Sequence, residues 1–276
     1  MTAVEVSSGR TMRTALPVLR GWLAEGWRGL IGWSVGLTAV ALVYLPLFPS
    51  MQSPELAGLI ESLPPELVRT LGYENITSGA GYAQATFFGL IGFVLITIAG
   101  IGWGASFIAG AEESGRLELT LAHGVGRVRY ALESAAALVV KLLVLGLVAL
   151  LVVGAVSGPA ELDLDPVNLL AVTTALVGLG VLSGTAALAG GALTGRRIWG
   201  IGVGSGIAVT GYVLQAIANN SEDLDWLRAI SPYDWAFGQA PLANGADWIG
   251  LALLWGGSAV LIAVATIGLA RRDILG

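Results

Sequence analysis

The sequence predicts an all-α, polytopic membrane protein with six transmembrane helices, an N-terminal interfacial helix and both termini in the cytoplasm. Three observations lead there. Of 276 residues, 55% are hydrophobic and 12% charged, about half the roughly 25% charge of a soluble domain. Six apolar stretches each reach the roughly 20 residues that cross a hydrocarbon core. The charges fall in bands between those stretches, not among them. A disordered chain, a nucleic-acid-binding domain and an ordinary cytosolic enzyme are excluded by this composition.

The spans fall at about 29–48, 84–109, 134–157, 168–193, 198–219 and 248–270. Helices are the only spanning form compatible with the pattern, because no ten-residue alternation of a β-barrel is present. The first stretch is too long for a signal-peptide core, and Pro46-Leu47-Phe48-Pro49-Ser50-Met51 after it is no small-residue cleavage site, so it reads as a retained span. Orientation follows from the basic residues. Arg10, Arg13, Arg20, Arg28, Arg116, Arg127, Arg129, Arg196, Arg197, Arg271 and Arg272 fall on one side, and only Arg69 and Arg228 on the other. The first side is therefore the cytoplasm. The opposite segments carry the acids of residues 55–74, 161–165 and 222–247. A single 1–276 transmembrane domain follows, with no convincing repeat between its halves. Thirteen Arg against one Lys, with much Ala and Gly, suggests a bacterial source and a place in the inner (plasma) membrane.

Residues 13–28 precede the first span. On a helix Leu16, Leu19, Leu23 and Trp27 share one side, and Arg13, Arg20, Glu25 and Arg28 the other. The regular spacing favours an interfacial helix over a basic flank that only sets orientation. The outer segment 49–83, with Pro54 and Pro64-Pro65, reads as one or two short amphipathic helices. The outer segment 220–247 carries Trp226, Tyr233 and Trp235, aromatics suited to headgroup level, and a break is expected near Ser231-Pro232. The cytoplasmic loop 111–133 holds Leu117, Leu121, Val125 and Val128 at helical spacing amid charges. A short amphipathic helix that fills a partner's groove and a solvated connector fit that composition equally.

Motifs for chemistry within the chain are missing. No P-loop and no His-Glu-x-x-His occur, there is no Cys, and His123 is the single His, expected on a loop. No catalytic residue, cofactor or metal site is assigned, and no base stands by Ser183 or Ser205 to activate it. Lys141 is the one charge inside a span, about 10 Å deep at 1.5 Å per residue. A central Lys costs about 2.5–3.5 kcal/mol on insertion scales, so snorkelling of its ammonium to the headgroups is favoured over an ion-coupling or substrate role. No carboxylate is expected inside a span, which counts against a proton- or sodium-driven carrier. Gly32/Gly36, Gly100/Gly104, Gly180/Gly184, Gly191/Gly195 and Gly202/Gly206 have the small-xxx-small spacing of close helix contacts, a weak signal in a chain with 40 glycines.

Several segments carry a family resemblance. The strongest is Glu112-Glu113-Ser114-Gly115-Arg116-Leu117-Glu118-Leu119-Thr120-Leu121-Ala122 with Arg127 beyond it. Leu63-Pro64-Pro65-Glu66-Leu67 with Gly79-Ala80-Gly81-Tyr82 precedes span two, and Ile230-Ser231-Pro232-Tyr233 with Gly245-Ala246-Asp247-Trp248 precedes span six. Arg271-Arg272-Asp273 ends the pattern. With these segments the chain resembles permease subunits of type-2 ATP-binding-cassette exporters, including bacterial antibiotic and polyketide efflux systems, over nearly its whole length. His123-Gly124-Val125-Gly126-Arg127 departs, since relatives commonly show Pro-Val-Ser-Arg; its two glycines leave the helix boundary open.

The resemblance implies that Glu112, Glu113, Gly115, Arg116, Leu117, Glu118, Leu119, Leu121 and Arg127 form a coupling helix and its flanks, docked on an ATPase subunit. It also implies two ATP-binding subunits, which hold the ATP and Mg, beneath a pair of permeases, either identical or related. No cofactor is then needed in this chain, and the substrate is a hydrophobic or amphipathic compound exported across the bilayer. The competing expectation is an ATP-independent carrier or channel built around Lys141.

Overall fold

The computed structural model describes residues 16–51, 76–220 and 222–273. The outer-segment helices expected between Pro54 and Leu71 lie outside the described residues, as do Arg10 and Arg13. Among the described residues the chain is helical, and six helices are long and apolar enough to cross a membrane. A short α1 (Pro17–Glu25) leads through Gly26 into α2 (Trp27–Tyr44), which a tight Leu45–Leu47 turn and Phe48–Met51 prolong. Next come α3 (Gly79–Glu113), α4 (Arg116–Ala122), α5 (Arg127–Ser157), α6 (Pro166–Thr194) and α7 (Arg197–Ala218). A Glu222–Ile230 3₁₀ stretch, α8 (Pro232–Phe237), α9 (Pro241–Asn244) and α10 (Trp248–Arg271) complete the order.

The helix ends have local causes. Asp165 precedes Pro166 and accepts from Val167 N and Asn168 N, so α6 starts with a carboxylate cap and a proline at its first position. Asp247 caps α10 in the same way through Ile249 N and Gly250 N. Ser231 caps α8 at Asp234 N, and its hydroxyl donates to Gly211 O, which pins the expected break against α7. Gly195 ends α6 with φ 70°, a conformation glycine adopts without the penalty a Cβ brings.

α6 is the axis of the bundle. Nearly all of it is buried, and α3, α5, α7 and α10 pack around it. The closest approach is to α3. A Cβ on Gly100 would stand 2.8 Å from Gly180 O, and one on Gly104 would stand 2.1 Å from Gly184 O. Two of the small-residue pairs thus meet each other. Gly191 meets Ala109, while Gly32, Gly36, Gly202 and Gly206 face open space. α3 also carries π-helical stretches at Gln84–Gly92 and Ser106–Gly110.

Four expectations change. The third span starts at Arg127, seven residues before the expected boundary, because helix geometry continues through the charged residues that hydropathy excludes. Glu133 therefore lies in a span-forming helix and is 3% exposed, against the expectation of no buried carboxylate. Lys141 does not snorkel: it is 2% exposed, with Nζ 5.1 Å from the Trp103 ring and 5.2 Å from the Phe107 ring. The N-terminal helix stops at Gly26, and Trp27 belongs to α2. Its protein-facing side is Val18 with the partly buried Leu19 and Trp22, whereas Leu16 and Trp27 of the expected stripe are exposed.

A methyl at the α3–α6 crossing has no space to enter. Gly104→Ala should destabilise the folded chain by about 1–3 kcal/mol, while Gly102→Ala, on the same helix with nothing within 4 Å, should stay within about 0.5 kcal/mol of the parent. Thermal unfolding in detergent measures both.

Candidate functional site

The ends of α3, α5, α6, α7 and α10 that carry Arg127, Arg129, Arg196, Arg197, Arg271 and Arg272 meet at one end of the bundle, together with α1 and α4. α4 is built there by local sequence. α3 ends at Glu113, and Gly115, with φ 71°, reverses the backbone so that Gly115 N donates to Glu112 O, 2.9 Å. α4 then runs for seven residues and stops at His123; Gly124, with φ 84°, and Gly126 make the turn into α5. The two glycines that depart from the family pattern therefore end the helix and are not part of it.

Each residue singled out in the sequence has a distinct place. Leu117 is buried and seats α4 on the bundle, Leu121 packs partly buried beside it, and Leu119 points away, 63% exposed. Glu112 pairs with Arg272 at the end of α10, beneath Gly195, where a Cβ would collide with both side chains. Glu113 accepts from Arg197 N at 2.8 Å and so caps the first turn of α7. Arg127 Nη1 donates to Arg272 O at 2.9 Å. Arg116 pairs with Glu25 of α1 at 2.5 Å and lies over the Trp22 ring at 5.2 Å. Glu118 has a buried Oε2 with no hydrogen-bond partner. α4 is thus held at both flanks, toward α7 and α10 through its acidic lead-in and toward α1 through Arg116.

Sequence reasoning gave Trp22, Glu25, Glu133 and the backbone of Arg197 no contacts to make at this end. Their signal is weak, since each acts through a partner distant in sequence. A cleft of about 150 Å³ separates α1 from α4, lined by Pro17, Val18, Gly21, Trp22, Glu25, Arg116, Thr120 and Tyr130. Tyr130 Oη donates to Phe107 O at 3.0 Å, which closes the cleft's inner wall. Among the described residues no cluster of three His, Cys, Asp or Glu is placed to hold a metal ion. The arrangement offers no nucleophile–base pair. What it provides is a short helix with one apolar side bound to the bundle and the other presented outward.

At the opposite end, Phe93, Tyr212, Tyr233 and Phe237 form an aromatic cluster with centroids 5.1–6.5 Å apart. Tyr233 Oη donates to Gly89 O within a π-helical stretch of α3. Burial lifts the Asp234 carboxyl above its usual range, and Arg228, 3.6 Å away, opposes that shift.

Truncation separates the two sides of α4. Leu117→Ala should cost about 2–5 kcal/mol of stability, the usual penalty for a cavity at a buried Leu. Leu119→Ala should change stability by no more than about 0.5 kcal/mol. Denaturation of the purified chain reads both.

Comparison with known proteins agrees with this architecture. No curated protein matches the chain. A family model described as the C-terminal domain of the multidrug efflux system permease Rv1217c matches residues 25–269, which covers all six spans and the basic end but begins after most of α1. Six apolar helices and this match make the chain a multi-pass inner-membrane protein. It belongs to the family of that permease domain, a family of multidrug efflux permeases.

Proposed function

We propose that this chain is the membrane subunit of an ATP-driven exporter, in which a separate ATP-binding subunit docks on α4. The observation that carries this reading is the mounting of α4. A free connector would have neither a buried Leu117 nor ion pairs at its flanks, whereas Leu119 stands exposed on a helix that the bundle holds in place. That is the form of a helix offered to a partner's groove. The basic residues at this end support its placement in the cytoplasm, where an ATPase would be, with both chain termini on the same side.

Two such chains would pair, or one with a related permease, above two copies of the ATP-binding subunit, which hold the ATP and Mg. Closure of the ATPases pushes on α4. The push reaches α7 through Glu113, α10 through Glu112 and Arg272, and α1 through Arg116 and Glu25. Because α6 is enclosed by its neighbours, the bundle tilts as a body and its pairing with the second bundle opens and closes. A hydrophobic or amphipathic compound enters from the inner leaflet or the cytoplasm and leaves outside.

The test uses the permease reconstituted with its ATP-binding subunit. Leu119→Asp and Glu118→Lys should each lower transport by about tenfold or more, the effect of losing a central interface contact, while the chain keeps its fold and membrane insertion. Full transport by both variants would refute the assignment of α4.

A further inference from the structure

α1 has no side-chain cap from its own sequence at either end, and at its last turn Gly26 N donates back to Trp22 O at 3.2 Å. Leu16, ahead of it, is left-handed with φ 59° and offers no side-chain acceptor, and Gly26 follows it. The first turn of any helix leaves N–H groups unpaired, and the last turn leaves C=O groups unpaired. These ends carry partial positive and partial negative charge. In this chain α5 places a charged side chain of the opposite sign at each end. Glu133 Oε2 accepts from Val18 N at 2.7 Å and from Leu19 N at 3.0 Å, and Arg129 holds the other carboxylate oxygen at 2.6 Å. At the other end the Lys141 ammonium lies against Gly26, so close that a Cβ there would stand 1.9 Å from Nζ and 2.8 Å from Trp22 O.

The spacings match. Glu133 and Lys141 are eight residues apart, as are Val18 and Gly26, about 12 Å on a helix. Between the two ends Trp22 Nε1 donates to Ser134 Oγ at 3.2 Å. Trp22 also stacks on Phe107 at 4.5 Å, with Arg116 over the outer face of the pair and Lys141 near the inner ring.

We propose that Glu133 and Lys141 form a charge clamp that fixes α1 on α5, the acid at its positive end and the ammonium at its negative end. Lys141 is then a positioning residue. It explains why an ammonium is kept inside a span and why the α1–α2 junction is glycine: any side chain at 26 would displace Nζ. The clamp rests on geometry alone. Its consequence, that α1 presents Glu25 to Arg116 as a firm strut for α4, rests on the proposed docking role of α4.

The absence of Cys lets a single nitroxide be placed at either exposed end of α1, at Arg20→Cys or Ala24→Cys, in the full chain in nanodiscs. Lys141→Met should raise the mobile-to-docked ratio about tenfold for the label at 24 and leave the label at 20 nearly unchanged. Glu133→Gln should do the reverse. Neither measurement needs an ATPase, so failure here is distinct from failure of the docking assignment. Equal loosening of both ends by either variant would mean general destabilisation and would overturn the clamp, as would no change at either end. Should Lys141→Met not give folded protein, Glu133→Gln decides alone by the same contrast between the two labels.

Discussion

The contact between α3 and α6 at Gly100, Gly104, Gly180 and Gly184 sets the rest of the structure. In lipid, helix association gains little from the hydrophobic effect, so packing must come from close surfaces. Four glycines let two backbones approach until no methyl fits between them. That approach makes α6 a centre around which α5, α7 and α10 can close, and it explains why α6 is rich in small residues. Ser183 and Thr185, buried within it, donate to carbonyls one turn back and so leave no unmet hydroxyl proton. Helices on the outside of the cluster, above all α2, α7 and α10, keep large exposed apolar residues for lipid or for another subunit.

With the interior fixed this way, charge is confined to the ends and put to structural use. At the basic end the acids of the α3–α4 junction each hold a different helix: Glu112 the end of α10, Glu113 the start of α7. Arg116 adds α1. A short helix of seven residues would be marginal alone in water; here one buried Leu and the surrounding pairs hold it. In the proposed mechanism the same ties that stabilise α4 carry displacement into the bundle, so structural support and transmission use one set of contacts. α1 takes part through the carboxylate and ammonium of α5, although the family match begins at its last residue.

Much of this was legible in the sequence, and the exceptions have physical reasons. Hydropathy located all six spans because a bilayer demands a long apolar run. It misplaced the start of α5, since Arg127, Arg129 and Glu133 are helical but polar, and hydropathy reads solvent preference where the backbone reads hydrogen bonds. The snorkelling assigned to Lys141 followed from its depth and stem length; what it omitted was Gly26 and the aromatic rings of Trp103 and Phe107, which come from other parts of the chain. The apolar stripe of residues 13–28 was real as a pattern but was read on one helix through Gly26. Leu16 lies ahead of α1 and Trp27 beyond the break, both exposed, and the side of α1 that meets the protein is Val18 and Trp22. Of five small-residue pairs, spacing could not distinguish those that meet a partner, such as Gly100/Gly104, from those facing open space, such as Gly32/Gly36.

In the proposed exporter α4 offers its exposed side to an ATP-binding subunit. A photoreactive amino acid at Leu119, with Trp248 at the opposite end of the molecule as control, tests it in the native membrane. The adduct from position 119 should contain a soluble subunit with a P-loop, and position 248 should give none. An adduct from 119 with lipid or an unrelated protein, in cells where the exporter is active, would contradict it.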